Sequence, residues 1–135
     1  MPLSKPRVLV ADERAIFRSG MRHILEAFGY RVDEVADALA ITAAMQADDF
    51  DLVVIDAHEP ISCSTANVLA VRLESAVPIL LLAQRHQHLP FPCEGTTCAI
   101  ARPFALEDFM DAVAEATKHA KPRRSALESA AARDV

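Results

Sequence analysis

Three short, unbroken apolar runs constrain this chain more than any other feature: Val8-Leu9-Val10-Ala11, Leu52-Val53-Val54-Ile55 and Ile79-Leu80-Leu81-Leu82-Ala83. Neighbouring residues of a strand point to opposite faces, so an apolar run without alternation suits a strand covered on both sides, as in a parallel sheet between helices. Helical patterns lie between the runs. Ile16, Phe17, Gly20, Met21, Ile24, Leu25 and Phe28 recur at three- and four-residue steps, and Gly29 is placed to end that helix. Asp37 predicts the cap of a second helix through Leu39, Ile41 and Met45, and Ser64 or Thr65 the cap of a third through Val68, Leu69, Val71 and Leu73. Leu106, Phe109, Met110 and Val113 mark a last helix after Pro103. With a second strand over Tyr30–Val35 and a short fifth near Cys98–Ala101, strands and helices alternate. The expectation is an α/β fold, a doubly wound five-stranded parallel sheet with right-handed crossovers. Segment 84–97 interrupts the alternation. Pro90, Pro92 and Gly95 oppose a long helix there, so the fourth helix is expected to be degraded or missing.

The chain of 135 residues predicts one domain over 1–120, followed by a basic, Ala-rich tail over 121–135 that either extends the last helix or is disordered. Its 52% hydrophobic content excludes a wholly disordered chain. No apolar run approaches the length of about 18 residues that a membrane-spanning helix needs, and the first residues lack a signal-peptide pattern, so a cytoplasmic protein is expected. The net charge is −5. Residues 118–135 hold five Lys/Arg against two Asp/Glu, so the acidity sits in the body, which argues against nucleic-acid binding through phosphate neutralisation. Cys63, Cys93 and Cys98 are odd in number, against a disulfide framework. His86, His88, Cys93 and Cys98 have donor types that suit Zn²⁺, but not the spacing of a common zinc motif.

Asp12 and Glu13 follow the first strand directly, and Asp56 follows the third. In a parallel sheet of order 2-1-3-4-5 these strands flank the topological switch point, where ligands bind. Carboxylates gathered there repel, and a hard divalent cation such as Mg²⁺ relieves the repulsion. The alternative is that Asp12 and Glu13 serve the N-terminus of the first helix.

The chain resembles a response-regulator receiver domain over roughly residues 7–118. The resemblance rests on Val8-Leu9-Val10-Ala11-Asp12-Glu13, Gly29-Tyr30-Arg31-Val32, Asp51-Leu52-Val53-Val54-Ile55-Asp56, Pro60, Val77-Pro78-Ile79 and Arg102-Pro103-Phe104. It implies a flavodoxin-like fold and a phosphoryl group accepted on Asp56 from a histidine kinase. Mg²⁺ would be held by Asp12, Glu13, Asp56 and the backbone carbonyl of His58. Phosphoryl transfer of this kind rests on positioning and charge neutralisation.

Several positions depart from the family pattern. Ala83 stands where a Thr or Ser is expected, Arg102 where a Lys is expected, and Ala99 where an aromatic is expected. Glu59 stands at a position often held by Met, and Ser64 at one usually held by Gly. The reading is therefore an atypical stand-alone receiver without the usual Thr-aromatic switch. Arg102 is an alternative occupant of the acidic edge in place of the cation. Output would run through a downstream signalling protein, with self-association open through segment 84–97, strand five and the last helix. The competing reading is a phosphorylation-independent interaction module. An Asp-nucleophile phosphatase is disfavoured, because His58 stands where a second Asp is needed.

Overall fold

The computed structural model describes residues 5–58, 61–84 and 97–118. Their elements are β1 (Arg7–Ala11), α1 (Ala15–Ala27), β2 (Arg31–Val35), α2 (Ala38–Ala47), β3 (Leu52–Asp56), α3 (Ile61–Glu74), β4 (Ile79–Gln84), β5 (Thr97–Arg102) and α4 (Leu106–Lys118). The strands form one sheet of order β2-β1-β3-β4-β5, with every pairing parallel. This is the expected doubly wound topology. The expected missing helix within 84–97, the tail from 121, Glu59, Pro60, His86, His88 and Cys93 lie outside the described residues.

The apolar runs divide by parity, as strand geometry requires. Leu9, Val53, Ile55, Ile79 and Leu81 pack on one face with Ile41, Met45, Phe50, Val68 and Val71. Val8, Val10, Leu52, Val54, Leu80 and Leu82 pack on the other with Leu25, Phe109, Met110 and Val113. Thus α2 and α3 cover one side, and α1 and α4 the other.

Local signals account for two helix ends. Asp37 accepts from the Ala40 amide at 2.9 Å and caps α2. At the end of α1, Gly29 has φ +93°, its amide donates to Glu26 O, and the Tyr30 amide donates to Leu25 O, each at 3.1 Å. Those two bonds are a Schellman motif, which needs the left-handed backbone that glycine adopts without strain.

Other expectations need correction. Neither Ser64 nor Thr65 caps α3, because the helix already runs from Ile61. Ser64 is buried inside it and donates to the Asp56 carbonyl at 3.0 Å. The apolar stripe of α1 is mostly turned to solvent. Only Leu25 is fully buried, whereas Ile16, Phe17, Ile24 and Phe28 are exposed, Ile16 by 86%. Leu39, Leu69, Leu73 and Leu106 are exposed as well. The arginines of α1 explain part of this orientation. Arg18 and Arg22 both pair with Glu34 of β2 at 3.1 Å, so a charged row occupies the flank of the helix beside β2.

Candidate functional site

Parallel strands bring their C-terminal ends to one edge. Asp12 follows β1 and its amide donates to Val35 O of β2 at 3.2 Å, while Asp56 is the last residue of β3. Since β1 and β3 are hydrogen-bonded neighbours, the two carboxylates share the edge. Both are buried, Asp12 4% and Asp56 6% exposed. A buried charge is costly unless it is paired and hydrogen-bonded, and both aspartates have cationic partners.

Arg102, the last residue of β5, faces Asp56 with a two-pronged contact. Its Nη1 donates to Oδ1 at 3.2 Å and its Nη2 to Oδ2. The reach is long, since two strand spacings, roughly 10 Å, separate β5 from β3. A planar guanidinium on a long stem suits that span and matches the carboxylate fork. The residue that sequence reasoning missed is Arg14. Its amide donates to Asp12 Oδ1 at 2.9 Å, its Nε to the same oxygen at 3.2 Å, and its Nη2 to Asp12 Oδ2 at 3.0 Å. The same Nη2 is 3.0 Å from Asp56 Oδ2. The Arg14 guanidinium carbon lies 4.0 Å from the centre of the Phe17 ring. The hydrogen bond to Asp12 is the chief reason that Arg14 is held above the ordinary arginine range; partial burial opposes it, and the charges of Asp12 and Asp56 add to it. The signal in the sequence was an Arg two residues after Asp12 and three before Phe17.

The remaining candidates divide. His58 joins the edge, with Nε2 3.2 Å from Asp12 Oδ1 and Nδ1 3.9 Å from Glu13 Oε1. Glu13 itself is half exposed. Ala83 is buried near the end of β4, one residue beyond the Leu82 that pairs with Asp56, and it brings only a methyl group. Ala99 is exposed on the edge strand β5. Cys63 and Cys98 are free thiols. No helix among the described residues is long and apolar enough to cross a membrane.

Mg²⁺ takes oxygen ligands at close, near-octahedral range. Here both oxygens of Asp12 and both of Asp56 already face guanidinium nitrogens. Among the described residues, no three His, Cys, Asp or Glu are disposed to hold a metal. This donor set does not fit Mg²⁺ while Arg14 and Arg102 stand where they do.

No family model matches the chain, and no curated protein matches it. Solved structures do. The chain is similar to chemotaxis protein CheY4 of Vibrio cholerae, at 26% identity and TM-score 0.68, over 83% of this chain and 98% of that one. It is similar to FixJ-N at 19% identity and TM-score 0.74, over 89% and 99%. The receiver domain of sensor histidine kinase PA1611 from Pseudomonas aeruginosa PAO1, which has a magnesium ion coordinated in its active-site cleft, matches at 21% identity and TM-score 0.67, over 84% and 98%.

Proposed function

We propose that this chain, a CheY-like response-regulator receiver domain, serves two-component signalling as an arginine-latched receiver that acts through protein partners rather than through metal-assisted phosphorylation of Asp56. One observation carries this reading: both oxygens of the buried Asp56 are engaged by cationic side chains of the chain itself, Arg102 on both and Arg14 on Oδ2. A free carboxylate oxygen is what an attack on phosphorus requires, and a nearby cation is what stabilises the transferring group. Here the cations are spent on the carboxylate. The positions of the usual Thr-aromatic relay hold Ala83 and Ala99, which offer neither a hydroxyl nor a ring. The domain would then present one lasting conformation to its partners, a histidine kinase and a downstream signalling protein, and turn over no substrate of its own.

The second reading keeps Asp56 as a phosphoryl acceptor. It is favoured by the placement of that carboxylate at the end of β3, on the sheet edge beside the end of β1. In this reading the Arg102 fork moves from carboxylate to phosphoryl oxygens. Incubation with acetyl phosphate, and with a histidine kinase, read by intact mass with and without Mg²⁺, separates the two. The latched reading expects no phosphoryl adduct that Asp56→Asn abolishes. An Asp56-dependent adduct formed in Mg²⁺ would establish the second reading instead.

A further inference from the structure

A divalent cation held on this edge by both Asp12 and Asp56 would have to lie between them. The Arg14 guanidinium occupies that bridging position, since its Nη2 lies 3.0 Å from Asp12 Oδ2 and 3.0 Å from Asp56 Oδ2. Arg102 does not bridge; of the two aspartates it touches Asp56 alone. The Arg14 head group is also fixed from several directions. Its amide and Nε hold Asp12 Oδ1, and the Phe17 ring lies against its face at 4.0 Å. Being two residues from Asp12 in the same chain, it competes for the carboxylates at a high effective concentration. Charge balance works in the same direction. Two guanidinium groups already neutralise two buried carboxylates, so an added divalent ion would leave the edge with excess positive charge unless an arginine left.

We infer that Arg14 is the specificity-determining residue of the acidic edge: its guanidinium excludes divalent cations from the position between Asp12 and Asp56. The inference rests on the arginine-latched reading, but it concerns cation binding alone and needs neither a phosphoryl donor nor a partner. The edge thereby carries a covalently tethered monovalent charge in place of an exchangeable divalent one. Removing that charge frees both Asp12 oxygens from a guanidinium and leaves Asp56 with Arg102 alone, opening carboxylate oxygens, with Glu13 beside them, of the type that hard cations select.

The test uses the full chain and Mn²⁺ as a paramagnetic probe, read by broadening of the Asp12, Asp56 and Ala57 amide signals, with Mg²⁺ binding followed by calorimetry. The variants are Arg14→Ala and Arg14→Gln, the second keeping most of the side-chain stem in case the first does not fold. Both are checked by circular dichroism. The expected result is at least about tenfold tighter cation binding in the Arg14 variants than in the unmodified chain, with the gain abolished by adding Asp12→Asn. Arg102→Ala is expected to give a smaller gain, because Arg14 still bridges. Unmodified protein that binds Mn²⁺ at this edge as tightly as the variants would overturn the inference, and so would folded Arg14 variants that gain nothing. A phosphoryl adduct on unmodified protein would refute the latched reading separately, leaving the Mn²⁺ comparison to be judged by itself.

Discussion

Arg14 and Arg102 divide one buried carboxylate between them, so neither can be assessed alone. Removing Arg102 leaves Asp56 with Arg14, and removing Arg14 leaves it with Arg102. Solvent also reaches both arginine side chains, which are about a third exposed. Arg102→Ala is therefore expected to destabilise by about 1–2 kcal/mol, less than the ~3–5 kcal/mol of breaking a fully buried pair. The double variant strands Asp56, so its cost should exceed the sum of the singles by about 0.5–3 kcal/mol. Urea denaturation of the four proteins measures that coupling. Strict additivity would show that Asp56 does not depend on the two arginines jointly. At this scale the sequence was half legible. Asp12 and Asp56 announced themselves by ending apolar strands, and Arg102 by standing at a lysine position. Arg14 did not, because an arginine just before a helix reads as a solvated charge until the fold aims it back at the strand ends.

Among the elements, α1 shows what periodicity can and cannot report. The three- and four-residue spacing correctly marked a helix, yet it did not say which side the sheet would cover. The salt links of Arg18 and Arg22 to Glu34 lie against β2, and Leu25 fills the core while Ile16 and Phe17 remain outside. Leu25→Ala is accordingly expected to cost about 2–5 kcal/mol, and Ile16→Ala under about 0.5 kcal/mol. Thermal or urea unfolding compares the two directly, and similar costs would mean that the stripe is buried after all. For α2, whose cap was readable from Asp37 alone, Asp37→Ala should cost about 1 kcal/mol through loss of the bond to the Ala40 amide. Asp37→Asn, which keeps a side-chain acceptor, should restore most of it in the same assay. The misplaced start of α3 has a simple cause. Ser64 has the chemistry of a cap, but its hydroxyl bonds back to β3 from within the helix.

For the whole molecule, the doubly wound parallel sheet was legible because continuous apolar runs demand cover on both faces, whereas the strand order followed from the resemblance to a receiver domain. In this arrangement of helices, sheet and helices the two aspartates of the acidic edge are buried, and their pairing with arginine sets the response to pH. Arg14 is held above the ordinary arginine range, chiefly by its hydrogen bond to Asp12. A cationic group raised in this way contributes stability that is complete below its unfolded value and is lost only as pH climbs through the folded one. The stability difference between the unmodified chain and Arg14→Gln should therefore stay constant from about pH 8 to about pH 10. Urea midpoints across that window check it, and a slope would reveal another group titrating with Arg14. The Ser64 hydroxyl gives this edge a mechanical dimension. By gripping the Asp56 carbonyl, it splices the tip of β3 to the first turn of α3. Any tug on the tip of β3 is thus handed to a helix that makes no part of the charge cluster, as a cable passes tension to a distant anchor.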